Sequence, residues 1–167
     1  MCGEKTCAGE IEFDKEIIME IERKFLIKRL PEDLESYPYH LIEQAYLCTE
    51  PVVRVRKEDD HYYMTYKSGG SMVREEYNLP LNKEAYESLK AKADGNLIGK
   101  KRVLIPYGAY TIELDLFEAP FAPLILAEVE FSSVEEADAF IPPNWFAEDV
   151  TYCPEYHNST MSRKLFE

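Results

Sequence analysis

The sequence lacks the features of a disulfide-bonded or membrane-spanning protein. Its four cysteines, Cys2, Cys7, Cys48 and Cys153, do not follow a metal-ligand spacing, and a chain with this much core material does not need a disulfide framework. No apolar run approaches the length needed to span a bilayer, and the N-terminus lacks the basic-then-apolar layout of a signal peptide. We therefore expect a cytoplasmic protein with no membrane partner.

Basic residues are fewer than acidic ones: the chain has 19 Lys and Arg and 32 Asp and Glu, which gives a net charge of −13. An exterior with that charge repels nucleic acid as well as an anionic membrane surface, so neither is a predicted partner. The 167 residues suffice for one domain with a sizeable core. Residues 1–18 show weak periodicity, and we expect them to form an accessory or disordered leader before a single domain over 19–167.

Val, Ile, Tyr, Phe and Thr recur with period-two alternation along much of the chain, which indicates β-strands. The candidate strands are 18–28, 42–49, 52–58, 61–68, 72–79, 97–106, 109–118 and 124–131. Short links such as Ser68-Gly69-Gly70-Ser71 imply antiparallel neighbours, because parallel strands need long crossovers. The predicted helices are few: 32–37 after Pro31, 83–93 capped by Asn82, and 133–140 capped by Ser133. The sequence therefore predicts a mainly β, α+β fold.

Charged side chains alternate with apolar ones on most of these strands. Because the side chains of a strand point to opposite faces in turn, charges two residues apart share one face. The pattern comprises Glu20, Glu22 and Lys24; Arg54 and Arg56; Lys67; Arg74 and Glu76; Lys100 and Arg102; Glu113 and Asp115; and Glu128 and Glu130. A sheet with its charged face in water would explain any single strand. In the set, however, acidic pairs lie on the first and last strands and basic pairs between them, whereas solvated faces usually mix the two signs.

A closed barrel explains this segregation differently. Eight strands can close with the charged face inward and with helices covering the apolar outside. Unpaired charges held away from water cost on the order of several kcal/mol each unless a ligand neutralises them. The bases then need an anion of high charge density, and the acids need cations. A small-molecule triphosphate with Mg²⁺ or Mn²⁺ meets both needs, since hard divalent cations prefer carboxylates, and Lys and Arg bind phosphate oxygens.

The same residues resemble a known family. The segment Glu20-Ile21-Glu22-Arg23-Lys24 is similar to the ExExK signature of the CYTH superfamily, the triphosphate tunnel metalloenzymes. The resemblance continues in order through Arg54 and Arg56, Thr65 and Lys67, Arg74 and Glu76, Lys100 to Arg102, Glu113 and Asp115, Glu128 and Glu130, and a closing segment with Tyr156 and Asn158. It implies an eight-stranded antiparallel tunnel, and the chain looks most like the small bacterial inorganic triphosphatases. One departure is Asn78, where relatives often carry a further acid.

The resemblance also implies roles. Glu20, Glu22, Glu128 and Glu130 are expected to hold the activating metal, with Glu113 and Asp115 as further ligands. Phosphate oxygens are expected to bind Lys24, Arg54, Arg56, Lys67, Arg74, Lys100 and Arg102. We assign catalytic roles to Lys24, as a stabiliser of developing charge, and to Glu76, as the group that orients or deprotonates the attacking water.

Other functions fit the same pattern less well. The first alternative is a class IV-type adenylate cyclase that makes cyclic AMP and pyrophosphate from ATP, but the sequence shows no obvious nucleoside site. The second is a binding module that holds polyphosphate or nucleotide without turnover, which would need fewer acids. A structural barrel should show no metal dependence. A homodimer is a further expectation, because the outside of the tunnel must be covered.

Overall fold

The computed structural model describes residues 18–166, which form nine strands and three short α-helices. The strands are β1 Ile18–Ile27, β2 Tyr39–Thr49, β3 Val52–Glu58, β4 His61–Lys67, β5 Val73–Leu81, β6 Asp94–Tyr107, β7 Tyr110–Phe117, β8 Ile125–Glu130 and β9 Phe146–Asp149. The helices are α1 Lys83–Lys90, α2 Val134–Ala139 and α3 Asn158–Met161, with 3₁₀ turns at Leu34–Ser36 and Pro154–Tyr156.

Eight of the strands close into an antiparallel barrel. The hydrogen-bonded order is β5-β4-β3-β2-β6-β7-β8-β1, and β1 returns to pair with β5. Along one edge, β1 pairs first with β5 and then, at Phe25 and Ile27, with the short β9. The tight links that allow this closure use backbone conformations with positive φ, at Asp59 (φ 50°) and Gly108 (φ 61°). The predicted fold class is confirmed.

Outside the barrel, apolar side chains pack under the helices. Phe25 contacts Phe140 and Phe146 with ring centroids 6.0 and 4.8 Å apart, and this cluster covers the outer faces of β1, β6, β7 and β8. On the other side, Tyr86 of α1 packs against Ala45 and Val55. Side-chain caps begin α1 and α2: Asn82 accepts a hydrogen bond from the Ala85 amide, and Ser133 accepts one from the Glu136 amide.

Inside the barrel, one end is filled by an apolar plug. On six strands (β1, β2, β3, β6, β7 and β8) an apolar residue lies next to the inward charged or polar residues, and on each strand it lies toward the same end of the barrel. With Met161 of α3 these residues form one buried cluster, the apolar plug: Leu26, Tyr46, Val52, Ile98, Phe117, Leu126 and Met161. The charged interior is therefore bounded by apolar side chains at this end.

Several element bounds differ from the predictions. The predicted helix over 32–37 is a 3₁₀ turn at Leu34–Ser36, because Asp33 has a left-handed φ of 54° and cannot continue a right-handed helix. Strand β6 begins at Asp94, so that Asp94 and Gly95 open a strand. Strand β9 and helix α3 were not predicted, since four residues are too few to show a period.

The predicted leader over 1–18 lies outside the described residues except for Ile18, with which β1 begins. Among residues 18–166, no helix is long and apolar enough to cross a membrane.

Candidate active site

The inward faces of the strands line a cavity of about 580 Å³, open mouth included. Seven basic and five acidic side chains contribute to its lining: Lys24, Arg54, Arg56, Lys67, Arg74, Lys100 and Arg102, and Glu20, Glu22, Glu76, Glu128 and Glu130. All twelve come from alternating positions of β1, β3, β4, β5, β6 and β8. The strand period therefore places nearly every predicted site residue in one cavity.

Most of the bases are held by carboxylates. Lys24 Nζ lies 2.7 Å from Glu128 Oε1, and Lys100 contacts Asp115. Arg102 binds Asp115 with its Nε and Nη2 atoms, both at 2.7 Å, and it also contacts Glu113 and Glu128. Burial alone would raise the pKa of Glu128, but Lys24, Lys100 and Arg102 hold it well below its ordinary value.

Three carboxylates converge at the other end of β1. Glu20, Glu22 and Glu130 each place an oxygen within 4.8 Å of the other two. Burial and the neighbouring Glu22 raise the pKa of Glu20 to about 6. Burial and the nearby carboxylates of Glu113, Glu20 and Glu22 raise the pKa of Glu130 to about 7. Glu20 Oε2 is buried and has no hydrogen-bond partner among the described residues.

These observations fit a hard divalent cation. Mutually repelling carboxylates with an orphaned oxygen are a donor set that Mg²⁺ or Mn²⁺ satisfies, since both prefer oxygen ligands. The structure brings Glu20, Glu22 and Glu130 together. It places the other predicted ligands, Glu128, Asp115 and Glu113, in ion pairs with bases instead. Asp115 and Glu113 contact Arg102, which lines the cavity, but they are not themselves among the cavity-lining residues.

Glu76 belongs to a hydrogen-bonded chain that reaches the carboxylate cluster. Its Oε2 lies 2.8 Å from Lys67 Nζ, which in turn contacts Glu20 at 2.5 Å. The Asn78 amide donates to Glu76 Oε1 at 2.6 Å and accepts from the Thr65 hydroxyl at 2.6 Å. Burial would raise the pKa of Glu76, but Lys67 chiefly lowers it to about 2. Asn78, the departure from the family pattern, thus anchors Glu76.

The bases of the β3 wall, in contrast, have few direct carboxylate contacts. Arg54 is 5% exposed and has no carboxylate within 4.0 Å among residues 18–166, and its Nε has no hydrogen-bond partner there. Arg56 reaches Glu58 at 2.8 Å, but burial and the nearby Arg102 and Arg54 lower the pKa of Arg56. Burial and Arg102 also lower the pKa of Lys100 to about 8. This wall is where an anion is most needed.

The sequence-based site prediction missed several cavity residues. Tyr46 and Val52 line the cavity beside Arg54, and His157 and Ser159 approach from the C-terminal segment. Period-two alternation in β2 could have found Tyr46, because Ile42, Gln44 and Tyr46 share a parity. His157 and Ser159 lie outside the strands, so alternation gave no signal for them.

Comparison with known proteins agrees with this geometry. The CYTH domain model matches residues 19–138, and the chain belongs to this family. It is 38% identical over 152 residues to an inorganic triphosphatase of Nitrosomonas europaea, covering 87% of this chain and 98% of that protein. It is 30% identical over 158 residues to an inorganic triphosphatase of Acetivibrio thermocellus, covering 89% and 96%. The crystal structure of the inorganic triphosphatase NE1496 superposes with a TM-score of 0.67 at 33% identity, covering 89% of this chain and 97% of that one. The resemblance inferred from the sequence is confirmed.

Proposed function

We propose that this chain is a metal-dependent triphosphatase that hydrolyses inorganic tripolyphosphate or a small organic triphosphate and releases phosphate. The observation that carries the proposal is that one closed barrel holds both a basic wall with few carboxylate partners and a cluster of three converging carboxylates, one of whose buried oxygens has no hydrogen-bond partner among residues 18–166. The names of the relatives support the same substrate class.

The bases bind the phosphate chain. Arg54 and Arg56 offer guanidinium groups without buried carboxylate partners, so they can donate hydrogen bonds to phosphate oxygens without first breaking a buried ion pair. Lys24, Lys67, Arg74, Lys100 and Arg102 are paired with carboxylates and change partners when the substrate arrives. Bases and acids are nearly balanced in this interior, which is why the anion is expected to enter together with cations.

Glu20, Glu22 and Glu130 would hold the divalent ion, Mg²⁺ or Mn²⁺, with Glu128, Glu113 and Asp115 as proposed further ligands. When bound, the ion supplies positive charge to the oxygens of the phosphoryl group being transferred. Ion binding also removes the repulsion that raises the pKa of Glu20 and Glu130.

In the reaction, a water oxygen bonds to the terminal phosphorus and the bridging P–O bond breaks, so that phosphate and a diphosphate leave and a water proton passes to the product phosphate or to solvent. Lys24 Nζ, which lies between Glu128 and Glu22, stabilises the negative charge that develops on the phosphate oxygens. Glu76 is held by Lys67 and Asn78, and its low pKa suits a group that orients the water by accepting its hydrogen bond.

The cyclase alternative is not favoured. Cyclisation of ATP needs a pocket for the base and the ribose, and such pockets are mostly apolar or aromatic. Val52 and the Tyr46 ring are the principal apolar groups among the residues that line the cavity.

We also propose a cytoplasmic location with no nucleic-acid or membrane partner, supported by the net charge of −13, and a homodimer, supported by exposed outer-face residues such as Leu41 and Leu97.

The test is a product assay. Purified protein is incubated with tripolyphosphate, ATP or thiamine triphosphate, with EDTA, Mg²⁺ or Mn²⁺, while phosphate, pyrophosphate and cyclic AMP are measured together. We expect metal-dependent phosphate release that is lost in Glu22→Gln and retained in Glu75→Gln, a matched variant on the exposed outer face of β5. Cyclic AMP with pyrophosphate would establish the cyclase, and tight binding without product would establish the binding module.

A further inference from the structure

The pairing along one edge of β1 is interrupted at Lys24. On this edge β1 pairs with β5 over Ile18–Ile21, and the amide of Glu22 donates to the Met72 carbonyl at 3.1 Å. Pairing with β9 begins only at Phe25. The amide of Lys24 therefore falls between two partner strands. A buried amide is costly unless it finds an acceptor, so an acceptor has to come from outside the strand ladder.

The acceptor is the side chain of Thr151, just after the end of β9. Thr151 is 3% exposed, and its Oγ1 accepts a hydrogen bond from the Lys24 amide at 3.0 Å. The carbonyl of Lys24 accepts from the Val150 amide at 2.8 Å. The Thr151 hydroxyl donates its proton to Asp149 Oδ1, so its lone pairs are free to face Lys24. One side-chain oxygen thus takes the place of a strand partner.

Contacts on two sides hold the Thr151 side chain and main chain in place. Asp149 Oδ1 also accepts from the Thr151 amide at 2.9 Å, and Asp149 Oδ2 accepts from Arg23 Nη2 at 2.6 Å on the outer face of β1. The carbonyl of Thr151 accepts from His157 Nε2 at 3.1 Å, and His157 lines the cavity. The main chain of Lys24 is therefore bound to a segment that is itself fixed on the outside and the inside of the barrel.

The position of this main chain matters because the Lys24 side chain works at close range. The side chain is buried, and its Nζ lies 2.7 Å from Glu128 Oε1 and 3.9 Å from Glu22 Oε1. A lysine carries its charge at the end of a flexible stem, so a displacement of the strand moves Nζ as well. In an active site, a misplacement of about 1 Å can cost about 100-fold in rate. Packing alone would be served by valine in place of Thr151, since valine has the same shape and no hydroxyl to bury.

We propose that Thr151 is a positioning residue for Lys24: its hydroxyl holds the β1 main chain so that the ammonium group meets the phosphate oxygens on which charge develops. The inference rests on the proposed triphosphatase function, in which Lys24 stabilises that charge. It adds a residue that is not among those lining the cavity and acts on the reaction through the main chain of another. The effect should therefore appear in the chemical step more than in substrate binding, which six further bases share.

The experiment compares wild type with Thr151→Val, Thr151→Ser and Asn82→Ala. Valine removes the hydroxyl and keeps the shape, whereas serine keeps the hydroxyl. Asn82→Ala removes the cap of α1, outside the cavity, and controls for lost stability alone. The values of kcat and KM are measured with tripolyphosphate and Mg²⁺ or Mn²⁺. The Kd for tripolyphosphate is measured by calorimetry in EDTA, and the melting temperature is measured without ligand.

We expect Thr151→Val to lower kcat by about tenfold or more, while the Kd changes by less than about threefold. Thr151→Ser should keep kcat within about threefold of wild type, because it restores the acceptor for the Lys24 amide. Asn82→Ala should lower the melting temperature and leave kcat unchanged.

A kcat for Thr151→Val within about twofold of wild type would overturn the inference. A Thr151→Ser variant as slow as Thr151→Val would overturn it too, since the hydroxyl would then not be the group that matters. If Thr151→Val fails to fold, Asp149→Ala takes its place, because it removes the acceptor that directs the hydroxyl. A kcat lowered about threefold or more would then support the inference, and an unchanged kcat would overturn it. If wild type hydrolyses no triphosphate, the proposed function is wrong and the inference falls with it. Wild-type turnover with an unaffected Thr151→Val contradicts the inference alone.

Discussion

Replacing Asp115 with asparagine should remove the central ion pair of the barrel interior. The side chain is fully buried, and it accepts charge-assisted hydrogen bonds from Lys100 and from two nitrogens of Arg102. Breaking one partner of a buried pair costs about 3–5 kcal/mol, because the remaining charges lose their compensation. Asparagine keeps one acceptor oxygen, so we expect Asp115→Asn to lower the free energy of unfolding by about 3 kcal/mol near neutral pH.

The penalty should depend on pH through Lys100. The pKa of Lys100 is about 8 in the fold, below its ordinary value of 10.5, so its contribution to stability is present above the unfolded pKa and is lost as pH falls through 8. Asp115 is one of the groups that keep this pKa from falling further. Without Asp115 the loss extends to lower pH. The difference between variant and wild type should therefore be larger at about pH 7 than at about pH 9.

The assay is urea unfolding followed by circular dichroism at both pH values, with linear extrapolation to water. Glu58→Gln serves as the control, since its partner Arg56 lies 2.8 Å away but the Glu58 side chain is 29% exposed. Surface pairs of this kind contribute about 1 kcal/mol or less. A loss in Asp115→Asn no larger than that of the control, or a loss that grows with pH, would refute the reasoning.

Three further predictions follow from the same structure. The pKa values of Glu20, about 6, and of Glu130, about 7, are raised, so the stability that these two groups contribute is present below pH 4.5 and is lost as the pH rises through those values. A cation that binds the ionised carboxylates should restore it. Mg²⁺ or Mn²⁺ should therefore raise the melting temperature by about 3 °C or more at about pH 8 and by much less at about pH 5. Arg54→Gln should lower the melting temperature of the ligand-free protein by about 2–4 °C and abolish tripolyphosphate binding, because the nearby Tyr46 and Glu76 outweigh burial and raise the pKa of Arg54, so that they stabilise its charged form. Gly95→Ala should cost about 2 kcal/mol or more in urea unfolding, since φ is +81° and the added Cβ would lie 2.2 Å from the Ser162 carbonyl oxygen.

Each of these has a control or a contrary outcome. Equal metal-induced shifts at the two pH values would contradict the assignment of the cation to Glu20 and Glu130. A higher melting temperature for Arg54→Gln would mean that the cost of burying the guanidinium exceeds the stabilisation by Tyr46 and Glu76. Gly69→Ala is the matched control for Gly95→Ala, because an added Cβ at Gly69 meets nothing within 4 Å.

Much of the fold could be predicted because one physical signal, period-two alternation, repeats along eight strands. The same signal assigned Arg54, Lys67 and Lys100 to the inner face. It could not tell which inward groups meet, since that depends on register between strands. Glu22 faces Glu130 directly, whereas Glu128 is held by Lys24. The sequence therefore predicted one set of acids for the metal, and the structure divides that set between a convergent cluster and ion pairs.

The remaining differences have local causes. Tyr46 was missed because an aromatic residue on a strand resembles ordinary core, and only its cross-strand position beside Arg54 shows that it lines the cavity. Strand β9 pairs with β1 over only a few residues, and the sequence around it has neither a turn signal nor a hydrophobic period from which the strand could have been predicted.

The closure of the barrel through β1 also constrains how the chain folds. Glu22 pairs with Glu130, which leaves the ribosome 108 residues later, while the neighbouring part of β1 pairs with β5. Loop closure over such separations slows folding, and until β8 arrives one edge of β1 offers unpaired amides and carbonyls. During synthesis this first strand is therefore the segment most in need of protection from pairing with another chain.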